Sequence, residues 1–374
     1  MKNYSFKKYL KLIPLIILFS LYLFKRVDYI NQAHLNSYKN NDFLEYEKAL
    51  DSLLKGENPY TETIKTYNYK EGDRANPDHG FAYFPLFLYV LIPLYYLAPV
   101  LNTSLFVLSR IPVLIGDVVC GLILVRILYK KDYLASIFAA CIYLFNPHNL
   151  TKDTYTFFDP LAILFIFLSI VYLNKNNLIS GIFFAVSIGF KSFAYILFPL
   201  LLLLSKEKKK FIIGGSLTGL AISAPFLRSL EFFSDYIRGS LLVHSERPIQ
   251  GRPLPFFISY FYKIEFLQLI PIKIYTYLAS FSGFIVSLLI WLKFKFSDKY
   301  ILSSLSFILF YLFTPVLNKT YLIFFIPIFI LGAYNFAELF KKKYIYYIIL
   351  LTFYLFYTWY LSIWEHGFHQ HMHL

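Results

Sequence analysis

Apolar residues in this chain gather into long runs separated by short polar breaks, without the alternation of a half-buried strand or the polar stripe of a water-facing helix. The runs are 12 to 24, 104 to 128, 133 to 149, 159 to 173, 178 to 190, 192 to 204, 211 to 227, 274 to 292, 300 to 316, 320 to 337 and 344 to 363. A helix crossing about 30 Å of hydrocarbon needs roughly 20 residues, so the pattern predicts membrane helices, several of them short. Backbone in lipid must satisfy its own hydrogen bonds, which makes helices the element to expect. The expected fold is all-α and polytopic, with about 11 transmembrane helices and residues 1–374 forming one transmembrane domain.

Lysines occupy the breaks: Lys7, Lys8 and Lys11, then Lys130 and Lys131, then Lys206 and Lys208 to Lys210, then Lys341 to Lys343. Loops rich in Lys and Arg stay on the cytoplasmic side. With the N-terminus inside, the eleven runs place the clusters at 130, 175, 206 to 210, 293 to 299 and 341 to 343 together on that side. This requires residues 81–100, broken by Pro85, Pro93 and Pro99, to return to the side they left as an interfacial or re-entrant segment. A rival count makes 81–100 a full span and fuses 178 to 204 into one helix. Both counts leave 25 to 80 and 228 to 273 outside. The division is therefore a large external loop, 25–103, with amphipathic or re-entrant helices, and a second external loop, 228–273. Lys25 and Arg26 follow the first run where a signal peptidase would want small residues, so that run reads as a retained span.

With 58% hydrophobic, 21% aromatic and 16% charged residues, a soluble enzyme, a disordered chain and a disulfide scaffold are excluded. The formal charge of +14 comes mostly from lysines beside apolar runs, which suit anionic head groups rather than nucleic acid. Cys120 and Cys141 both lie within apolar runs, which argues against a disulfide or a Cys-based zinc site.

Chemistry is then expected in the external loops. A helical stretch from Asp42 to Lys55 stops at Gly56 and turns through Asn58, Pro59 and Tyr60. With Glu45 three residues on, Asp42 reads either as an N-cap or as a catalytic carboxylate. Lys191 stands among apolar residues, where an ammonium must meet an anion or a water-filled cavity, or snorkel to the interface. Arg247 and Arg252 offer forked donors in the second external loop, or are simply solvated. Asp117 lies inside a span; Arg110 and Arg126 are seven and nine positions away, too far along a helix to stack on it. It is open to a substrate role or to a hydrogen bond from another helix. Asp153 and Asp159 bracket a loop and could contact sugar or metal, or face water. The tail with His366, His369, His371 and His373 resembles a metal tract by composition only. Asn102, Asn149 and Asn318 fit the short N-glycosylation pattern, which arises readily by chance.

The stretch Asn41 to Tyr60 with the later Phe81-Ala82-Tyr83-Phe84-Pro85-Leu86 resembles the first non-cytoplasmic loop of the GT-C superfamily of polyprenyl-phosphate-sugar-dependent glycosyltransferases. The nearest likeness is to the transferase of the first mannose of GPI anchors and its prokaryotic relatives. Ile115-Gly116-Asp117 through Arg126, Phe145-Asn146-Pro147 through Asp159, Gly189-Phe190-Lys191 through Pro199, and Tyr321 to Pro327 are similar to later segments in the same order. Close members carry Asp-x-Asp at the loop start, whereas here Asn40 precedes Asp42, which removes one carboxylate of a two-carboxylate metal site. The resemblance implies transfer of a sugar, mannose above others, from a polyprenyl- or dolichyl-phosphate donor to an external lipid or glycan acceptor at the bilayer. Asp42 would be the catalytic base. Lys191, Arg247, Arg252, Asp117, Asp159 and Tyr60 would contact substrate or phosphate. No metal ligands are assigned, and the need for Mg²⁺ or Mn²⁺ is left open. The protein would be a multi-pass membrane protein with its active site on the non-cytoplasmic side, in the plasma membrane of a prokaryote or the endoplasmic reticulum of a eukaryote. A carrier or lipid-linked sugar flippase, working through Asp117 and Lys191 as a pair, is the competing reading.

Overall fold

The computed structural model describes residues 10–35, 41–66, 80–150, 157–243, 250–255, 258–259, 269–318 and 320–365. The described helices, in order, are α1 (Ile13–Leu35), α2 (Asn41–Leu54), α3 (Tyr60–Thr66), α4 (Leu86–Val100), α5 (Leu105–Tyr129), α6 (Tyr133–Leu144), α7 (Asp159–Tyr172) and α8 (Asn177–Phe190). After a 3₁₀ turn, Ser192–Leu197, come α9 (Phe198–Leu204), α10 (Lys208–Ser223), α11 (Leu230–Ser240), α12 (Ile272–Phe294) and α13 (Lys299–Phe313). A second 3₁₀ turn, Tyr321–Phe325, leads into α14 (Ile326–Leu339), and α15 (Tyr344–Glu365) closes the bundle.

Each of the eleven apolar runs contains a helix, but four helical stretches are long and apolar enough to cross a membrane alone: Leu105–Tyr129, Ile272–Phe294, Tyr321–Leu339 and Tyr344–Ser362. A fifth is counted if Lys208–Phe226 and Leu230–Ser240, bent by 116°, form one span. Of the others, α1 has 23 residues but carries Lys25, Arg26 and Asp28, whereas α7 and α8 have 14 residues each, or about 21 Å of helix. The all-α expectation meets one small exception. Gln250–Gly251 (β1) and Val316–Leu317 (β2) pair in parallel and tie the segment between α11 and α12 to the turn after α13.

Basic loops assemble at one end of the bundle. Lys343 Nζ meets Asp132 Oδ2 at 2.8 Å, Lys206 N–H donates to Asn174 Oδ1 at 2.9 Å, and Lys299 Nζ donates to the carbonyls of Val171 and Leu173 that end α7. Helix α7 has its C-terminus at this end, and α8 and α13 have their N-termini there.

Asp132 is the N-cap of α6: its carboxylate accepts from Ala135 N–H at 3.1 Å. Burial pushes the Asp132 pKa up, but the hydrogen bond from Lys343 and that from Ala135 N–H outweigh it, and the carboxyl sits below its ordinary value. Its contribution to stability is therefore complete above the unfolded value of about 4 and fades as pH falls through the lower folded value. Lys343 is largely exposed, so its share is small and the cap dominates. Asp132→Ala should cost about 1 kcal/mol in detergent melts at neutral pH, and Lys343→Ala less. Both differences should shrink below pH 4; a pH-independent loss would refute the assignment.

At the other end, Gly56 terminates α2 with φ +78°, which a residue with a side chain adopts only at a cost. Glu57 N–H reaches back to Ser52 O and Gly56 N–H to Leu53 O, completing the reversal. The turn then docks: Arg228 donates to Gly56 O, Asn58 Nδ2 donates to Phe232 O at 3.0 Å, and Thr61 donates to Asp235 at 3.1 Å. The turn between α2 and α3 is thereby fastened to α11.

Candidate functional site

Lys191 occupies the break between α8 and the Ser192–Leu197 turn. Its backbone is extended, with φ −151° and ψ 126°, so the chain turns there instead of continuing one long helix. The side chain is buried, and Nζ lies 2.6 Å from Asp159 Oδ1. Asp159 is the first residue of α7, at the positive end of the helix dipole, followed by Pro160. Its second oxygen, Oδ2, is buried and has no hydrogen-bond partner among the described residues. A buried carboxylate oxygen left so is costly and is a ready acceptor for a donor that reaches it.

Aromatic rings box the ammonium: Tyr83 at 5.3 Å, Phe324 at 5.4 Å, Phe157 at 5.8 Å, Tyr321 at 5.9 Å and Phe158 at 6.0 Å from ring centroid to Nζ. These faces attract a cation in a site shielded from water. Above Lys191 opens a cavity of about 130 Å³. Tyr83, Ser192, Tyr195, Thr276, Ser280, Thr314 and Tyr321 supply its polar wall. Hydroxyls of Tyr195 and Ser280 are 3.1 Å apart at its side. A charged floor under neutral hydroxyls suits an anionic, hydroxylated ligand.

Lys191, expected to meet an anion or a water-filled cavity or to snorkel, meets an anion, and that partner is Asp159, not the Asp117 of the carrier reading. Asp159, expected at the boundary between a loop and the run 159 to 173 and open to facing water, is the buried first residue of α7. Asp117 accepts from Tyr22 at 2.6 Å and Tyr143 at 3.0 Å, the interhelical hydrogen-bonding role. It sits beside the site, since a Cβ on Gly116 would lie 3.1 Å from the Pro160 carbonyl. Tyr60 is fully buried; its hydroxyl donates to Tyr83 O at 2.7 Å, so it braces a wall of the cavity from behind instead of facing into it. Arg252 is buried next to the small ladder, its N–H donating to Leu317 O at 2.9 Å, one residue from Val316 on the cavity wall. Burial lowers the Arg252 pKa, with Tyr360 working against the shift.

Asp42 is the second residue of α2; its side chain, like Arg247, Asp153 and the His-rich tail, lies outside the described residues. The helix itself reaches the Lys191 site. Tyr46, one turn on, packs against Tyr83 at 6.3 Å and Phe158 at 5.4 Å, two of the rings that surround Nζ. Phe43 packs edge-on to Phe106 at 5.1 Å.

One group escaped the sequence reading. Arg110 on α5 is buried, with its guanidinium 5.6 Å from the Phe43 ring, and its donors go to Ser109 Oγ and the Phe157 carbonyl. Along the sequence it stands out only as a same-helix neighbour of Asp117, seven positions away. The signal available was an arginine inside the apolar run 104 to 128, close to its start, where a buried cation is a candidate in its own right.

A family model described as Glycosyltransferase family 87 matches residues 81–315, more than half of the chain. The match takes in Tyr83, Arg110, Asp117, Asp159, Lys191 and Arg252, and it begins after α2 and α3. No curated protein matches the chain.

Proposed function

The chain belongs to glycosyltransferase family 87, and from that premise we propose that it is a multi-pass, GT-C-type transferase of the membrane. In this reading it moves a sugar, mannose first among candidates, from a polyprenyl- or dolichyl-phosphate carrier to an external lipid or glycan acceptor. The observation that carries the reading is the Lys191–Asp159 pair beneath the polar cavity. Ionic groups inside an apolar bundle are expensive and mark sites that handle charge.

The reaction is a single inverting displacement. The acceptor hydroxyl oxygen forms a bond to the anomeric carbon, the bond from that carbon to the phosphate oxygen breaks, and the electron pair leaves with the phosphate. Asp42 takes the hydroxyl proton as the new bond forms. Lys191, joined by Arg252 and Arg247, stabilises the charge gathering on the departing phosphate. Asp159 orients Lys191 through Oδ1 and receives a sugar hydroxyl at Oδ2. Asp117 supports that corner from α5, and Tyr60 holds Tyr83 in place. The loops 25–103 and 228–273 form the acceptor side, on the non-cytoplasmic face, opposite the basic loops.

Purified protein in liposomes, given labelled polyprenyl-phosphate mannose and a membrane-lipid extract as acceptor, should form a labelled product with a new glycosidic bond. Label that crosses between leaflets with no new bond would instead support the flippase reading. Transfer only from a nucleotide sugar would remove the donor assignment. Repeating the assay with a chelator decides metal dependence.

A further inference from the structure

Two of the hydroxyls around the Lys191 cavity are already committed to backbone. Thr276 Oγ1 donates to Ile272 O at 3.1 Å, one turn back in α12. Thr314 Oγ1 donates to Val316 O at 2.9 Å and accepts from Val316 N–H at 3.2 Å. Tyr195 and Ser280 differ. They come from separate elements, the Ser192–Leu197 turn and α12, and among the described residues their hydroxyls bond only to each other, 3.1 Å apart. A hydroxyl carries one hydrogen and two lone pairs, so a pair joined by a single bond keeps a hydrogen and spare lone pairs for a ligand.

The faces of α12 show where those spare groups find partners. Tyr277, Phe281, Ile285 and Leu289 are exposed along its outer side, which suits lipid, whereas Tyr275, Ala279 and Gly283 are buried against the bundle. Thr276 and Ser280, one turn apart, line the cavity at the edge between the two faces. Lipid tails offer no hydrogen bonds, so the pair is answered only by what occupies the cavity. Tyr195 stands four residues beyond Lys191 on a 3₁₀ turn, a rise of about 8 Å, comparable to one sugar ring with its phosphate.

We propose that Tyr195 and Ser280 together read one hydroxyl of the transferred sugar and so determine which sugar is accepted. The assignment rests on the transferase reading for the donor's chemical class. With the phosphate at Lys191, the ring lies along the Ser192–Leu197 turn, and one of its hydroxyls donates to one oxygen of the pair and accepts from the other. A donor epimeric at that carbon turns the hydroxyl away and leaves the pair unanswered. Tyr195 is 43% exposed, so water competes there and the discrimination stays well below the roughly ten-thousandfold of a sealed polar site.

The test measures binding to the full-length protein in nanodiscs of polyprenyl phosphate bearing mannose, glucose, galactose or no sugar, then of the monodeoxy analogues of whichever sugar binds tightest. Wild type should bind that donor more tightly than the sugar-free lipid, and one deoxy analogue should lose about tenfold, the net worth of a hydrogen bond. In Tyr195→Phe and Ser280→Ala the parent donor should fall to the level of that analogue, and the analogue itself should bind as in wild type, because the hydroxyl and its reader are removed from opposite sides of one interaction. Sugar-free lipid should bind both variants as it binds wild type. Equal losses for every donor, a fall in sugar-free binding, or no wild-type preference for a sugar-bearing lipid would overturn the proposal. Each variant removes a single oxygen, and either suffices should the other fail to fold. Binding needs no turnover: if the coupling is found but no glycosidic bond is made, the reading pair stands and the transferase reading falls, whereas transfer with equal losses for every donor has the reverse meaning.

Discussion

Replacing Asp42 by Asn should cut sugar transfer by about a hundredfold to ten-thousandfold, the range a positioned general base contributes. Asn keeps the shape of the side chain and some of its hydrogen bonding but cannot take the acceptor's proton. The loss should therefore fall on kcat, with KM for the donor nearly unchanged, because Asp42 meets the acceptor and not the phosphate. The pH–rate profile of the wild type should show a limb falling toward acid as the carboxylate protonates, and the variant should lack it. Structural damage should be small. At the second position of α2 the carboxylate's favourable interaction with the helix dipole is worth about 0.3–1 kcal/mol. Full turnover by Asp42→Asn would remove the catalytic assignment. Its failure would move attention to Asp159, whose Oδ2 is buried and without a partner among the described residues.

The second large effect separates structure from function at the ion pair. Lys191→Met alone leaves the Asp159 carboxylate buried without its cation, and Asp159→Asn alone leaves the ammonium buried without its anion. Removing one member of such a pair costs about 3–5 kcal/mol, so both single variants should melt far below wild type. The double variant Lys191→Met/Asp159→Asn buries no charge and should recover most of the lost stability, since neutral groups of similar volume often replace buried pairs without penalty. Transfer should not recover with it. The phosphate would still lack its ammonium, and the loss should exceed about a hundredfold, in line with removal of one strong stabilising donor. Recovery of activity together with stability would make the pair a packing device only.

How much of this was legible along the chain differs from residue to residue. The helix beginning near Asp42 and its stop at Gly56 were readable, because caps and stops act through the nearest few residues. The break at Lys191 was open between two counts, one with a turn there and one with a continuous helix; the extended backbone at Lys191 is the former. Lys191 itself stood out as a cation among apolar neighbours, yet its partner lies 32 residues earlier in another helix, and no periodicity links the two. Asp117 is similar: its partners Tyr22 and Tyr143 are 95 and 26 residues away. Tyr60 looked like a turn residue facing substrate, but a single turn cannot reveal that α11 and Phe226 would enclose its ring. Arg110 is not marked by local pattern, because its contacts with Phe43 and the Phe157 carbonyl come from other segments of the chain.

What the sequence by itself determined is the set of properties that sum over neighbouring residues: a helical membrane protein, basic breaks between apolar runs, and the ends of its local helices. Hydrophobic length and charge act segment by segment, so they can be read without knowing what packs where. Tertiary structure decided which helices are long enough to cross alone, where α10 bends into α11, and which charges meet. Those outcomes depend on how close two helices can approach, as at Gly181 of α8, where a Cβ would fall 2.0 Å from Phe211 O of α10. Buried charges then pair with whatever group that crossing brings within reach, and Lys191 reached Asp159.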